Sequence, residues 1–221
     1  MKIGIAVTTT PNRKEHSKFC LSQINNWNTF LNIDDNNEGV AISKNECLHQ
    51  LFEVQNCDFA FLFDDDCFPI KSGWEMFFID NFYQTGQNHF IYCKPNLSNE
   101  IIESKEGVDI FNNCNGCFAF VTKEAFQKVG YFNKEYGLYG FEHADYSNRI
   151  YWAGLNTFGA YLCPKKAGEY IYSLDIDNHL SFNKQLNHFP SIEPARALNA
   201  IRKAQKVYMN SLDTKQIYYS Q

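Results

Sequence analysis

The run Phe59-Ala60-Phe61-Leu62-Phe63, followed at once by Asp64-Asp65-Asp66, constrains the fold more than any other stretch. Consecutive apolar residues of this kind read as a strand buried on both faces, as inside a parallel sheet. Three adjacent carboxylates at its end repel one another and are costly to desolvate, so they demand a cation or a set of donors. In an open α/β sheet, ligands bind outside the carboxyl ends of the strands. The acidic run is therefore expected to face a metal–phosphate site, with an acidic surface loop as the bland alternative.

Composition narrows the partners. With 221 residues, 44% of them hydrophobic, and 20 Phe and 13 Tyr, the chain has material for a sizeable core and is no disordered segment. A net charge of −5 argues against non-specific nucleic-acid binding, which needs a basic face. No apolar window is long enough to span a membrane, and the N-terminus enters a strand pattern without a signal peptide. Eight scattered Cys suit reduced thiols, so a cytoplasmic location is expected.

Strand and helix patterns alternate along the chain. Residues 3–7 read as a buried strand, 14–27 as a helix and 32–39 as a polar loop. Lys44, Cys47, Leu48, Leu51 and Phe52 fall on one helical face, as do Trp74, Phe77, Phe78 and Phe82. Residues 90–93 read as a short strand, 96–113 as an irregular loop, and 117–121 as a strand with Thr122 capping the next helix. Helices are expected over 141–153 and 194–209, the last with a basic face of Arg196, Arg202, Lys203 and Lys206. That face is expected to be solvated, although it leaves room for peripheral membrane contact.

Further segments carry chemistry. Thr8, Thr9, Thr10 and Arg13 end the first strand, where hydroxyls and a guanidinium suit a nucleotide. No Gly-x-Gly-x-x-Gly is present there. Glu142, His143, Asp145 and Arg149 open a helix, with Glu142 and Asp145 on one face and Arg149 four residues beyond Asp145. The same spacing fits ordinary helix capping plus an ion pair. His179 is a late candidate metal ligand, with His188 its competitor; a lone His is more often a packed or surface residue. Cys114-Asn115-Gly116-Cys117 is a solitary Cys-x-x-Cys that enters a strand, which argues against zinc and redox roles. Gly116 is its informative residue, allowing close approach of a ligand.

Together these segments resemble the GT-A glycosyltransferases, in particular the β-1,4-galactosyltransferases and family 2-like bacterial and viral enzymes. Three stretches carry the resemblance: residues 5–16 with Asn12-Arg13-Lys14-Glu15-His16, residues 61–69 with the Asp-x-Asp and a following Pro, and residues 116–154. The resemblance implies an α/β GT-A fold, a Rossmann-like nucleotide-binding half with a mixed central sheet flanked by helices. One domain spans 1–221, with a nucleotide-binding half over 1–95, an acceptor and catalytic half over 96–189, and a C-terminal helix and tail over 190–221.

The resemblance also implies roles. Thr8, Thr9, Thr10, Arg13, Asp64, Asp65, Gly116 and Tyr139 would bind the nucleotide sugar, with Asp65 a spacer. Asp66, with Asp64 and His179, would bind Mn²⁺ or Mg²⁺. Glu142, His143 or Asp145 would activate the acceptor hydroxyl. The implied donor is a UDP-sugar, the acceptor a glycan, lipid-linked or protein hydroxyl, and the outcome inversion. The chain departs from the family at His143, where an Asp usually follows the Glu, and in its short segment before Gly39, where Asp34 and Asp35 are the remnant of a nucleotide-binding acid. Two other classes remain: a nucleotide-sugar-binding pseudo-enzyme, and a phosphotransferase with an acidic nucleophile. The first strand ends in Thr, which counts against the second.

Overall fold

The computed structural model describes residues 1–24, 28–96, 98–177 and 194–221. Its strands are β1 (Ile3–Thr9), β2 (Thr29–Ile33), β3 (Phe59–Asp64), β4 (Cys67–Pro69), β5 (His89–Ile91), β6 (Ile101–Lys105), β7 (Val108–Phe111), β8 (Phe118–Thr122), β9 (Leu162–Pro164) and β10 (Ile171–Ser173). The longer helices are α1 (Lys14–Ile24), α2 (Val40–Leu48), α3 (Trp74–Thr85), α4 (Lys123–Val129), α5 (Glu142–Trp152) and a terminal helix, Pro194–Thr214.

The central sheet has the order β2-β1-β3-β8-β5. β1 runs parallel to β2 and β3, whereas β8 is antiparallel to β3 and β5, so the sheet is mixed. Strand alternation sorts residues by size. Phe61 and Phe63 pack with Phe118, Phe120, Trp74 and Phe78 on one face, together with Cys20 and Ile24 of α1. Ala60, Leu62, Ala119 and Val121 face the other way, toward Leu48 of α2, Phe126 of α4 and Tyr146 and Ile150 of α5. Helices thus cover both faces, which explains why β3 is apolar at every position.

Two expectations are corrected. The polar stretch near residue 32 contributes to β2, an edge strand whose half-buried Thr29 and Asn32 conceal it from an apolar-run criterion. Residues 96–113 are not an irregular loop. They hold the β6–β7 hairpin, whose exposed outer strand carries Glu103 and Lys105, and β7 pairs with β9. The chain turns between β6 and β7 at Gly107, whose φ of +80° suits glycine. Thr122 Oγ1 accepts from Ala125 N at 3.1 Å as the expected cap of α4, and Gly86 ends α3 in the left-handed region; the helix expected over 14–27 is described as far as Ile24, with 25–27 outside the described residues.

Phe61 is fully buried, with ring centroids 4.8 Å from Trp74 and 5.2 Å from Phe120. Phe61→Ala is expected to cost about 3–5 kcal/mol. Urea unfolding followed by circular dichroism checks this, and an unchanged midpoint would contradict the assigned core.

Candidate functional site

Strand register builds the site. Thr8 pairs with Asp64 across the parallel β1–β3 ladder, so the ends of both strands open at one edge of the sheet. A cavity of about 320 Å³ lies there, lined by Thr8, Thr9, Thr10, Arg13, Asp64, Asp65 and Asp66 from this edge. Asp34, Leu138, Tyr139, Asp175 and Arg196 also contribute to its wall.

Two side-chain cations answer the acidic run. Arg13 Nη2 lies 2.6 Å from Asp65 Oδ1 and 2.7 Å from Asp66 Oδ2, and Arg13 Nε donates to both Asp65 oxygens. Thr9 Oγ1 adds a bond of 2.5 Å to Asp65 Oδ2. Asp65, expected to be a spacer, is therefore held from several directions by charge-assisted bonds. Asp64 takes Thr8 Oγ1 at 3.0 Å and the ammonium of Lys44, on α2, at 2.6 Å. Burial alone would raise the Asp64 pKa, but Lys44 outweighs it and holds the carboxyl below its usual range. Asp66 goes the other way: burial raises it, and repulsion from Asp175 adds to the shift against the pull of Arg13.

Asp175 reaches this site through backbone geometry. Leu174 N donates to Asp66 O at 3.0 Å, and β10 pairs with β4 directly after the acidic run. The helical turn Leu174–Asp177 is anchored by Asp177, which accepts from Tyr92 Oη and from Ser173 N at 2.7 Å. Asp34 closes the loop that follows β2, accepting from Glu38 N and Gly39 N. His179 and His188 lie outside the described residues.

The acceptor-side candidates separate. Tyr139 lines the cavity and is partly exposed. Glu142, at the start of α5, is buried behind the lining, and its Oε2 has no hydrogen-bond partner. Burial, then the Asp64 charge, pushes its pKa up to about 7 against the pull of nearby backbone amides. The residue before it, Phe141, holds a φ of +67°, a conformation that costs a bulky L-residue roughly 1–2 kcal/mol.

His143 is also buried, 3.9 Å from Glu142 Oε1, with Nε2 unpartnered. Burial and then Lys44 drive its pKa down to about 3, so the ring is neutral. Its edge meets Phe132, and its other side rests on Gly116, where a Cβ would sit 2.6 Å from His143 Cδ2. The close approach at Gly116 is thus to His143. Asp145 is not brought to the cavity. It is fully buried, paired with Arg149 Nε at 2.9 Å and hydrogen-bonded by Ser211 Oγ of the terminal helix. That is the ion pair its spacing allowed, without the cap: no side chain caps the start of α5.

Sequence reasoning missed Lys44 and Asp175. Lys44 had a signal, since a charge sat on the apolar stripe with Cys47, Leu48 and Leu51. Asp175 had none.

A mixed central sheet flanked by helices is the arrangement of GT-A glycosyltransferase structures, and this chain has that fold. In sequence, an alignment 125 residues long is 30% identical to the uncharacterized glycosyltransferase R363 of Acanthamoeba polyphaga mimivirus. That match takes in 52% of this chain and 46% of the viral protein, so the chain spans about half the length of its relative. No family model matches. Among solved structures, residues 1–349 of S. aureus TarS align with a TM-score of 0.51 at 13% identity, over 84% of this chain and 69% of that one. The catalytic domain of Drosophila beta1,4-galactosyltransferase 7 gives 0.47 at 15% identity, over 89% and 80%.

Two outcomes follow from the geometry. Gly116→Ala is expected to cost about 1–3 kcal/mol by overpacking, and nearly nothing in a His143→Ala background. Chemical denaturation of the single and double variants measures this coupling, and simple additivity would refute the contact. The second concerns Glu142, whose folded pKa of about 7 exceeds its ordinary 4.5. Its protonated form favours folding below pH 4.5, and that stabilisation is lost as pH rises through about 7. Glu142→Gln is therefore expected to match wild type at pH 4 and exceed it by about 3 kcal/mol above pH 7. Equal stability at both pH values would show that Glu142 is solvated.

Proposed function

We propose that this chain is a metal-dependent glycosyltransferase, moving a sugar from a UDP-sugar to a hydroxyl acceptor with inversion. One observation carries the reading. Among the described residues, five carboxylates (Asp34, Asp64, Asp65, Asp66 and Asp175) line the cavity against two guanidiniums, Arg13 and Arg196. An anionic diphosphate enters such a cavity only in company with a cation. The glycosyltransferase relative and the GT-A fold support the same class.

The residues fit a hard divalent ion, Mn²⁺ or Mg²⁺. Asp66, with Asp64 or Asp175 as a second carboxylate, would hold it through oxygen. No three described His, Cys, Asp or Glu side chains gather into a complete metal cage. That suits an ion bound through one or two carboxylates plus substrate phosphates. Bound there, the ion would neutralise the leaving diphosphate.

The chain's own groups do the rest. Arg13 and Arg196 face the diphosphate, and the Thr8–Thr10 edge borders the nucleotide. Glu142, with a pKa near 7, takes the proton of the acceptor hydroxyl. The acceptor oxygen bonds to the anomeric carbon as the carbon–oxygen bond to the diphosphate breaks, on the opposite face. The nucleoside diphosphate leaves, and the centre is inverted. The acceptor is a glycan, lipid-linked or protein hydroxyl. All eight cysteines are free thiols, which suits the reducing cytoplasm. No helix among the described residues is long and apolar enough to cross a membrane.

A second reading is a binding protein that holds the nucleotide sugar without turnover; the burial of both Glu142 and His143 behind the lining favours it. Thermal shift with a panel of UDP-sugars, with and without Mn²⁺, tests the donor site. Saturation at about 100 times Kd adds about 2.7 kcal/mol, so a clear rise is expected only with both ligands. Asp66→Asn should abolish it. No shift with any donor, metal present or absent, would overturn the proposal, and binding without donor consumption would select the second reading.

A further inference from the structure

We propose that Tyr208, on the terminal helix, is a positioning residue for the turn that presents Glu142. It acts through Phe141 and touches neither donor nor acceptor. The inference rests on Glu142 as the acceptor-side base.

Phe141 directly precedes Glu142 and holds the left-handed conformation that glycine favours, with a φ of +67°. A bulky residue stays there only where its surroundings hold it. No side chain caps the start of α5, so the restraint comes from elsewhere. The Phe141 ring stacks on Tyr208, with centroids 5.1 Å apart and planes 24° from parallel.

Tyr208 is itself pinned at its far end. Asn148 Nδ2, further along α5, donates to the Tyr208 hydroxyl at 2.9 Å. The hydroxyls of Tyr208 and Tyr161 share a second bond of 2.9 Å. The ring that holds Phe141 is thus fixed to the same helix that Phe141 opens. Around this contact the terminal helix grips α5 again, through the bond from Ser211 Oγ to Asp145 Oδ1. It also covers Gly140, where a Cβ would lie 3.5 Å from Ile201 and 3.7 Å from Ala204.

The same helix touches the cavity at its other end, where Arg196 and Ala197 line the wall. Tyr208 lies twelve positions beyond Arg196 along the helix, about 18 Å. One rigid element therefore borders the donor cavity and braces the turn on the acceptor side. Misplacing a base by about 1 Å costs on the order of 100-fold in rate, so this brace governs the chemical step more than donor binding.

The test uses the whole chain, with UDP-sugar and Mn²⁺ as probes. Tyr208→Ala is expected to lower kcat for transfer by about 10- to 100-fold, while the donor Kd stays within about twofold of wild type. Tyr208→Phe keeps the stack and should lose only a few-fold. Phe141→Gly holds the left-handed turn unaided, so adding it to Tyr208→Ala should restore most of the rate. Tyr218→Ala, an exposed control, should change nothing. A wild-type kcat in Tyr208→Ala, an equal loss of donor affinity, or no rescue by Phe141→Gly would each overturn the inference.

Hydrogen exchange separates its failure from that of the proposed function. In Tyr208→Ala, amides from Phe141 to Tyr146 should exchange faster, those from Thr8 to Arg13 should not, and Phe141→Gly should restore protection. An inactive wild type sinks the proposed function, whereas unchanged exchange at Phe141–Tyr146 sinks this inference by itself.

Discussion

The parallel pairing of β1 with β3, in the register that sets Thr8 beside Asp64, is the constraint on which the site depends. It places the hydroxyls of Thr8 and Thr9 and the guanidinium of Arg13 against three carboxylates that would otherwise repel one another. Taking each ion out of water costs several kcal/mol, and close pairing with full hydrogen bonding offsets it. Lys44 completes the arrangement from α2, with no exposure to solvent. A slip of one residue would turn Thr8 and Asp64 away from their partners and the aromatic side of β3 away from its core.

The pairing also divides the carboxyl groups by charge state. Glu142 is buried and Asp64 half-buried, and desolvation is the largest influence on each. Asp64 has an ammonium at 2.6 Å and stays ionised, whereas Glu142 is raised to about 7 by burial, with the Asp64 charge adding to the shift. Groups of one chemical type pushed apart in this way take different tasks. In the proposed reaction, Asp64 would serve as a standing negative charge on the donor side, and Glu142 would exchange a proton near neutral pH. Lys44 contributes to this difference, since its pull is strong on Asp64 and weak on Glu142.

Much of this was legible in the sequence, and the misses have physical causes. The buried strand, the acidic run, the Thr122 cap and the Asp145–Arg149 spacing each depend on neighbours close in sequence, so local pattern reveals them. β2 and the β6–β7 hairpin were hidden because edge and surface strands carry polar residues and lack an apolar run. Asp175 was hidden for another reason. It meets Asp66 only because β10 pairs with β4, a contact between segments more than a hundred residues apart. Arg13 was foreseen beside the nucleotide, while its bridge between Asp65 and Asp66 depends on a fold-level juxtaposition.

His143 is where this chain leaves the pattern it otherwise resembles, and its surroundings say what the change involves. An imidazole exposed to water would suit proton transfer, because its ordinary pKa lies near neutrality. Here the ring is buried between Phe132 and Gly116 and hard to protonate, with a pKa near 3. A base that weak accepts a hydroxyl proton poorly at pH 7, whereas the neighbouring carboxyl at about 7 is matched to the task. The glycine follows from the same contact: any side chain at 116 would occupy the space the ring fills. His143 and Gly116 thus form one packed unit behind the cavity, and in the proposed reaction acceptor activation would fall to Glu142. In the proposed reaction the turn ahead of Glu142 would then matter more, because a single carboxyl must be aimed correctly.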